Sequence, residues 1–250
     1  MIRLSGKKIK AVLFDLGDTL LNFGKVDVSA VFKEGAKSTY NFLKEAGQSV
    51  GGLKRYAFRN FLAIRWRTFV SDITGNDFDS LELLKKIGRK QNYELDENQW
   101  QKLAELWYEP LKKFGHPEEN IKETLSKLKQ MQLKLGIVSN TFVTALSLDK
   151  HMSQAGLDGF FDFVLYSYQV PWRKPDKKIF RYAAEKIGEK CENIMFVGDR
   201  IDKDIVPALK MNMSAALKQA YTNAGETCPP NAHKIQKITE LPALIEKINR

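Results

Sequence analysis

The amino-acid sequence predicts an α/β fold: a doubly wound parallel sheet with an inserted α-helical cap domain. Three observations carry this. Short apolar runs alternate with amphipathic segments along most of the chain. A long interval with helical periodicity and no strand pattern separates the first run from the second. Acidic, hydroxyl and basic residues then follow the runs where a parallel sheet presents its ligand-binding edge.

The runs, in order, are 11–16 (AVLFDL), 133–139 (LKLGIVS), 161–167 (FDFVLYS), 194–198 (IMFVG) and 213–217 (MSAAL). Each is bounded by glycine, polar residues or a charge, as buried strands are. The helical stretches between them imply right-handed crossovers and a sheet covered on both faces. Between the first two runs lie 31–47 (VFKEGAKSTYNFLKEAG), 53–72 (LKRYAFRNFLAIRWRTFVSD) and 95–115 (LDENQWQKLAELWYEPLKKFG). Their apolar residues recur at three- and four-residue steps, and Gly47, Gly51, Gly52, Gly75, His116 and Pro117 supply the breaks. The expected division is a Rossmann-like core of residues 1–22 and 116–250, with a helical cap of residues 23–115.

Size and composition suit that division. The chain has 250 residues, 43% hydrophobic and 28% charged, so it buries a core and lacks the signature of disorder. The net charge of +10 comes from scattered lysines, which reads as a solvated surface. No nucleic-acid-binding motif accompanies it, so nucleic acid is an unlikely partner and a small anionic molecule the better one. Cys191 and Cys228 form no disulfide framework. The opening MIRLSGKKIK leads into an apolar run too short, and too soon broken by Asp15, for a signal peptide or membrane span. A cytoplasmic protein is the expectation.

The strand ends carry the chemistry. The first run ends in Asp15, followed by Asp18 and Thr19 in the turn; the second ends in Ser139, then Asn140 and Thr141. Lys174 follows the third, and Asp199, Asp202 and Asp204 follow the fourth. A lone aspartate there is an ordinary helix cap, and a lone Ser-Asn ordinary turn chemistry. Together they suit phosphoryl transfer on Mg²⁺, a hard cation that takes oxygen ligands. Metal, ammonium and hydroxyl groups neutralise the charge of a transferring phosphoryl group, and an aspartate beside them can attack phosphorus.

FDLGDTL, GIVSNT, the lysine of RKPDKKIF and VGDRIDKD, in that order, resemble the four motifs of the haloacid dehalogenase-like hydrolase superfamily. The helical interval resembles the cap of the subgroup that includes small-metabolite phosphatases and dehalogenases. The resemblance implies Asp15 as nucleophile and metal ligand, the Gly17 carbonyl, Asp199 and Asp204 as further Mg²⁺ ligands, and Asp202 outside the centre. It implies Ser139 and the Asn140 backbone N–H on the phosphoryl group, and Lys174 neutralising both Asp15 and the phosphate. Thr19, shaping the turn, and Arg200 are also assigned to substrate binding.

One position departs from the pattern. Phosphatases of this group usually carry a second aspartate two residues after the nucleophile, to protonate the leaving oxygen and later activate water. Here that residue is Gly17. The loss is general acid–base help, typically ~10²–10⁴ in rate. It leaves three readings: a phosphatase for good leaving groups, a 2-haloacid dehalogenase, or a non-catalytic binding relative. The acids of GDRIDKD favour the first, since they need a cation among them.

In the stretch 53–70, arginines interleave with Tyr56, Phe58, Phe61, Trp66 and Phe69. The expectation is aromatics turned to the cap's own core and most arginines to solvent. Trp172, Arg173 and Arg200 are expected at the pocket rim, and His116 in a structural role.

Overall fold

The computed structural model describes residues 8–250. In chain order the elements are β1 (Ala11–Phe14), β2 (Leu21–Asn22), α1 (Val28–Glu45), α2 (Leu53–Thr74), α3 (Ser80–Arg89), α4 (Glu97–Lys112) and β3 (His116–Pro117). Then come α5 (Ile121–Gln130), β4 (Lys134–Ser139), α6 (Ala145–Gln154), β5 (Phe163–Tyr166), α7 (Lys177–Ile187) and β6 (Ile194–Gly198). The chain ends with α8 (Val206–Lys210), β7 (Ser214–Lys218), β8 (His233–Ile235) and α9 (Leu241–Asn249).

Six strands form one parallel sheet in the order β5-β4-β1-β6-β7-β8. β1 lies inside it and is buried on both faces, which is why its four residues are all apolar. Val12 and Phe14 pack with Leu125 and Leu128 of α5 and Ile245 of α9. Ala11 and Leu13 face the other way, onto Ile179, Phe180 and Ala183 of α7 and Ala208 of α8. The period-2 alternation thus feeds two separate cores. The predicted strands are present with ends shifted by up to two residues, and β2, β3, β8 and α3 are additions, β2 pairing with β3 where His116 and Pro117 were expected as a break. β8 is three residues with one buried apolar side chain, too little to show a period.

Among the described residues no strand lies between β2 and β3. The four helices there share a cluster of Leu43, Tyr56, Leu84, Trp100 and Leu103. Their starts follow local chemistry: the Asp27 carboxylate accepts from the N–H groups of Ser29 and Ala30. Asp96 and Gln99 form a reciprocal capping box at α4. Gly88 of α3 is needed where Trp100 crosses, because a Cβ there would lie 2.2 Å from the indole.

α2 departs from expectation. Phe58, Phe61, Trp66 and Phe69 are exposed, with Leu62 and Ile73, while Tyr56, Asn60 and Ser71 face inward. Arg59 also turns inward and donates to Gln91 Oε1 at 2.6 Å and Tyr93 Oη at 3.1 Å. The inner face is polar because its side chains have partners there: the Tyr56 hydroxyl donates to Thr39 Oγ1, and Ser71 Oγ to Asp77. No described helix is long and apolar enough to cross a membrane.

The insertion is fastened to the sheet unit at two places. Tyr108 of α4 meets His151 of α6, Oη to Nδ1 at 2.8 Å. On the other side the Phe78 and Phe142 rings stack at 5.0 Å, and Ser80 N donates to Phe142 O. Arg173 there pairs with Asp77 at 3.0 Å, and Ser167 Oγ donates to the same carboxylate.

Candidate active site

At the carboxyl ends of β1, β4 and β6 opens a cavity of about 340 Å³, walled by the sheet on one side and by Tyr108 and Leu111 of α4 on the other. The strand order explains the convergence. β1 lies between β4 and β6, so Asp15, Ser139 and Asp199 leave three adjacent strands within one residue of the same level.

Lys174 is the hub. Its side chain is 2% exposed, and Nζ stands 2.7 Å from Asp15 Oδ1 and 2.7 Å from Asp204 Oδ1. It is also 5.3 Å from the centre of the Phe196 ring. The hydrogen bond runs to Asp15; the contact with Asp204 is an ion pair. Asp204 Oδ2 accepts from Arg200 N at 3.0 Å. Its carboxylate lies so close over Gly198 that a Cβ there would fall 2.5 Å from it, which is why glycine precedes Asp199.

Asp199 is buried and accepts from Thr19 Oγ1 at 3.4 Å and from Thr222 Oγ1. Its carbonyl accepts from Asn223 Nδ2, which also bonds Lys218 O and so fixes the loop after β7. Asp18 is spent on the turn. With φ at 53°, its Oδ1 accepts from the N–H groups of Phe23 and Gly24, both at 2.9 Å.

Burial sets the electrostatics. It pushes Asp15 up against the pull of Lys174, and pushes Asp199 up against the Thr222 hydroxyl. Asp204 rises to about 6, again by burial, with Lys174 opposing. Burial works against the charge on Lys174, but Asp15 and Asp204 outweigh it and hold the ammonium above its usual value. Asp15, Asp199 and Asp204 offer oxygens within 4.8 Å of one another. Three carboxylates face one ammonium, and a hard divalent cation fits both the charge and the all-oxygen donor set.

Asp15, Gly17, Ser139, Asn140, Lys174, Asp199, Arg200 and Asp204 all line this cavity. Thr19 does not: it is fully buried beneath Asp199. Asn140 turns its amide to the neighbouring loop rather than the cavity centre, bonding both the N–H and the carbonyl of Lys174. Arg200 spans to exposed Asp202. Arg173 lines the cavity, whereas Trp172 packs 6.2 Å from Tyr182. Thr222 and Asn223 were missed by the sequence reading. The signal was there, since they follow the carboxyl end of β7.

Known proteins resemble this chain in sequence and in fold. The family model of the haloacid dehalogenase-like hydrolases matches residues 9–212. The chain is 28% identical to a glyceraldehyde 3-phosphate phosphatase of Methanocaldococcus jannaschii over 97% of its own length and 99% of the relative's. It is 30% identical to the enzyme of the same name from Methanopyrus kandleri, over 82% of each. Among solved structures, a haloacid dehalogenase-like phosphatase from Thermococcus onnurineus aligns with a TM-score of 0.60 at 22% identity, covering 95% of this chain and 98% of that one. A 2-haloacid dehalogenase from Pseudomonas syringae aligns with 0.63 at 20%, covering 96% and 99%; both share the fold. The chain therefore belongs to the haloacid dehalogenase-like hydrolases.

Proposed function

We propose that the protein is a Mg²⁺-dependent phosphatase of a small phosphorylated metabolite, with residues 23–115 acting as the cap. The observation that carries it is Lys174, buried between Asp15 and Asp204 at 2.7 Å from each, with Asp199 beside them at the floor of the cavity. Three buried carboxylates around one ammonium call for a cation among them, which dehalogenase chemistry does not need. The relatives named as glyceraldehyde 3-phosphate phosphatases support a substrate of triose-phosphate size, and a cavity of about 340 Å³ suits one.

The carboxylate of Asp15 attacks phosphorus, and the bond to the leaving oxygen breaks as the aspartyl-phosphate forms. Ser139 Oγ and the Asn140 N–H donate to the non-bridging oxygens, and Lys174 holds Asp15 ionised while its positive charge faces the phosphoryl group. When bound by Asp15, Asp199, Asp204 and the Gly17 carbonyl, Mg²⁺ supplies neutralisation of the phosphoryl charge. Gly17 offers no proton, so the leaving oxygen takes one from water, and esters with good leaving groups or acyl phosphates turn over fastest. Water then releases phosphate from Asp15. Residues of α4, Tyr108 and Leu111, exclude bulk solvent meanwhile.

Phosphate release from a panel of phosphorylated metabolites, including glyceraldehyde 3-phosphate, tests this with and without Mg²⁺. Turnover is expected only with the metal and is abolished in Asp15→Asn. Hydrolysis that persists in that variant, or halide release from short haloacids, overturns the reading.

A further inference from the structure

α2 carries an apolar stripe on the outside of the molecule. Phe58, Leu62, Trp66, Phe69 and Ile73 are 50% to 69% exposed, on the face opposite buried Tyr56, Asn60 and Ser71. Solitary exposed apolar residues are ordinary, but a continuous stripe of this kind marks a surface that is covered by something. Nothing in the catalytic scheme uses it.

The stripe has a register. Leu62, Trp66, Phe69 and Ile73 follow the alternating steps of a coiled-coil seam, with Leu62 and Phe69 at d and Trp66 and Ile73 at a. The same count puts Arg65 and Asp72 at g, and Ala63 and Val70 at e. When two such helices pair antiparallel, a packs on d, g faces g and e faces e. Arg65 of each copy then meets Asp72 of the other, while Ala63 and Val70 close the opposite flank. Parallel pairing sets g against e and leaves Arg65 facing Val70, with no opposite charge.

Arg65 is free to do this, and Asp72 would exchange one long contact for it. Arg65 is exposed and makes no ion pair among the described residues. Asp72 is exposed, and its contact with Arg173 is long, 3.4 Å, whereas Arg173 holds Asp77 at 3.0 Å. The stripe offers on the order of 600 Å² of apolar surface per protomer, taking about half of each large side chain. With the charged flanks that approaches the roughly 800 Å² per partner of a standard interface.

We infer that the protein pairs with a second copy of itself through α2, antiparallel across a two-fold axis between Arg67 and Thr68. Trp66 packs on Phe69 and Leu62 on Ile73 across that axis, and two Arg65–Asp72 pairs fix the direction.

Sedimentation velocity on the intact protein reads this directly. The native chain of 28.6 kDa is expected at about twice that mass at micromolar concentration. Phe69→Glu, an exposed change checked for folding by circular dichroism, is expected at the single-chain mass. Arg65→Asp sets acid against Asp72 and is also expected to separate the copies, and adding Asp72→Arg restores the pair. A native protein that runs as a single chain overturns the proposal, including one that instead co-sediments with phosphatidylglycerol vesicles. So does a dimer unaffected by Phe69→Glu. A dimer indifferent to Arg65→Asp, or not recovered by the double swap, overturns the antiparallel arrangement.

Discussion

Asn140 and Lys174 are joined by two hydrogen bonds: Asn140 Nδ2 donates to Lys174 O at 2.7 Å, and Lys174 N donates to Asn140 Oδ1 at 2.8 Å. The clasp ties the loop after β4 to the loop that delivers the ammonium. Asn140→Ala removes both bonds and leaves a partly buried backbone pair unmet. The expected result is a loss of about 2 kcal/mol in stability and a clear fall in turnover, since Lys174 loses its placement. Urea unfolding and steady-state hydrolysis check the two effects; full activity in the variant would mean Lys174 is positioned by its ion pairs alone.

Gly17 is open to repair. A Cβ built there meets nothing within 4 Å, and its φ is not in the left-handed region, so an aspartate enters the cavity without strain. Gly17→Asp is expected to raise the rate on alkyl phosphates by about 10²-fold, with little change for p-nitrophenyl phosphate, whose leaving group needs no proton. A plot of rate against leaving-group pKa should flatten. An equal change across all esters would place the missing proton elsewhere.

Divalent metal should stabilise the fold through the buried acids. At one hundred times its dissociation constant, Mg²⁺ adds about 2.7 kcal/mol to the unfolding free energy. Thermal denaturation with and without Mg²⁺ reads this as a rise in midpoint. Asp199→Asn removes one of the three buried carboxylates, and the rise is expected to shrink or vanish in it.

His151 gives the stability a pH dependence. Its Nε2 lies 2.8 Å from Gly115 O, which only accepts, so Nε2 carries the proton and Nδ1 accepts from Tyr108. Burial holds its pKa below 6.5, with the Gly115 bond opposing. The unfolded chain therefore binds the proton first as pH falls. The contribution is fully present above pH 6.5 and is lost below it, by at most about 1.4 kcal/mol per pH unit. The difference between wild type and His151→Gln, followed from pH 8 to pH 5 by urea unfolding, isolates it from Asp15 and Asp204. Their raised values act in the opposite sense, since the folded state takes those protons first.

The core of the site was legible because its parts sit at strand ends. Asp15, Ser139 and Asp199 are fixed by where apolar runs stop, and a parallel sheet brings such stops to one edge. What lay hidden depends on which way a side chain turns. Thr19 stands among motif residues, yet it bonds Asp199 from below and never reaches the cavity. Asp18 looks available in the sequence but is consumed by the N–H groups of Phe23 and Gly24. α2 was legible as a helix and illegible in orientation. It carries large apolar residues on most of its circumference, so periodicity does not say which face is inside. Its polar inner face becomes evident only once Thr39, Tyr93 and Asp77 are seen to supply partners.

The two-residue ladder in which Leu21 faces Pro117 and Asn22 faces His116 has a consequence for ancestry. The chain departs toward its four helices and returns along the same narrow stem, so a tight turn of two residues could bridge the gap in their place. The sheet unit would keep its connectivity as an ordinary hairpin. Helices of quite different size and sequence could be spliced onto that stem without disturbing Asp15 upstream or Ser139 downstream. Lineages can in this way exchange what covers the pocket while inheriting its floor unchanged.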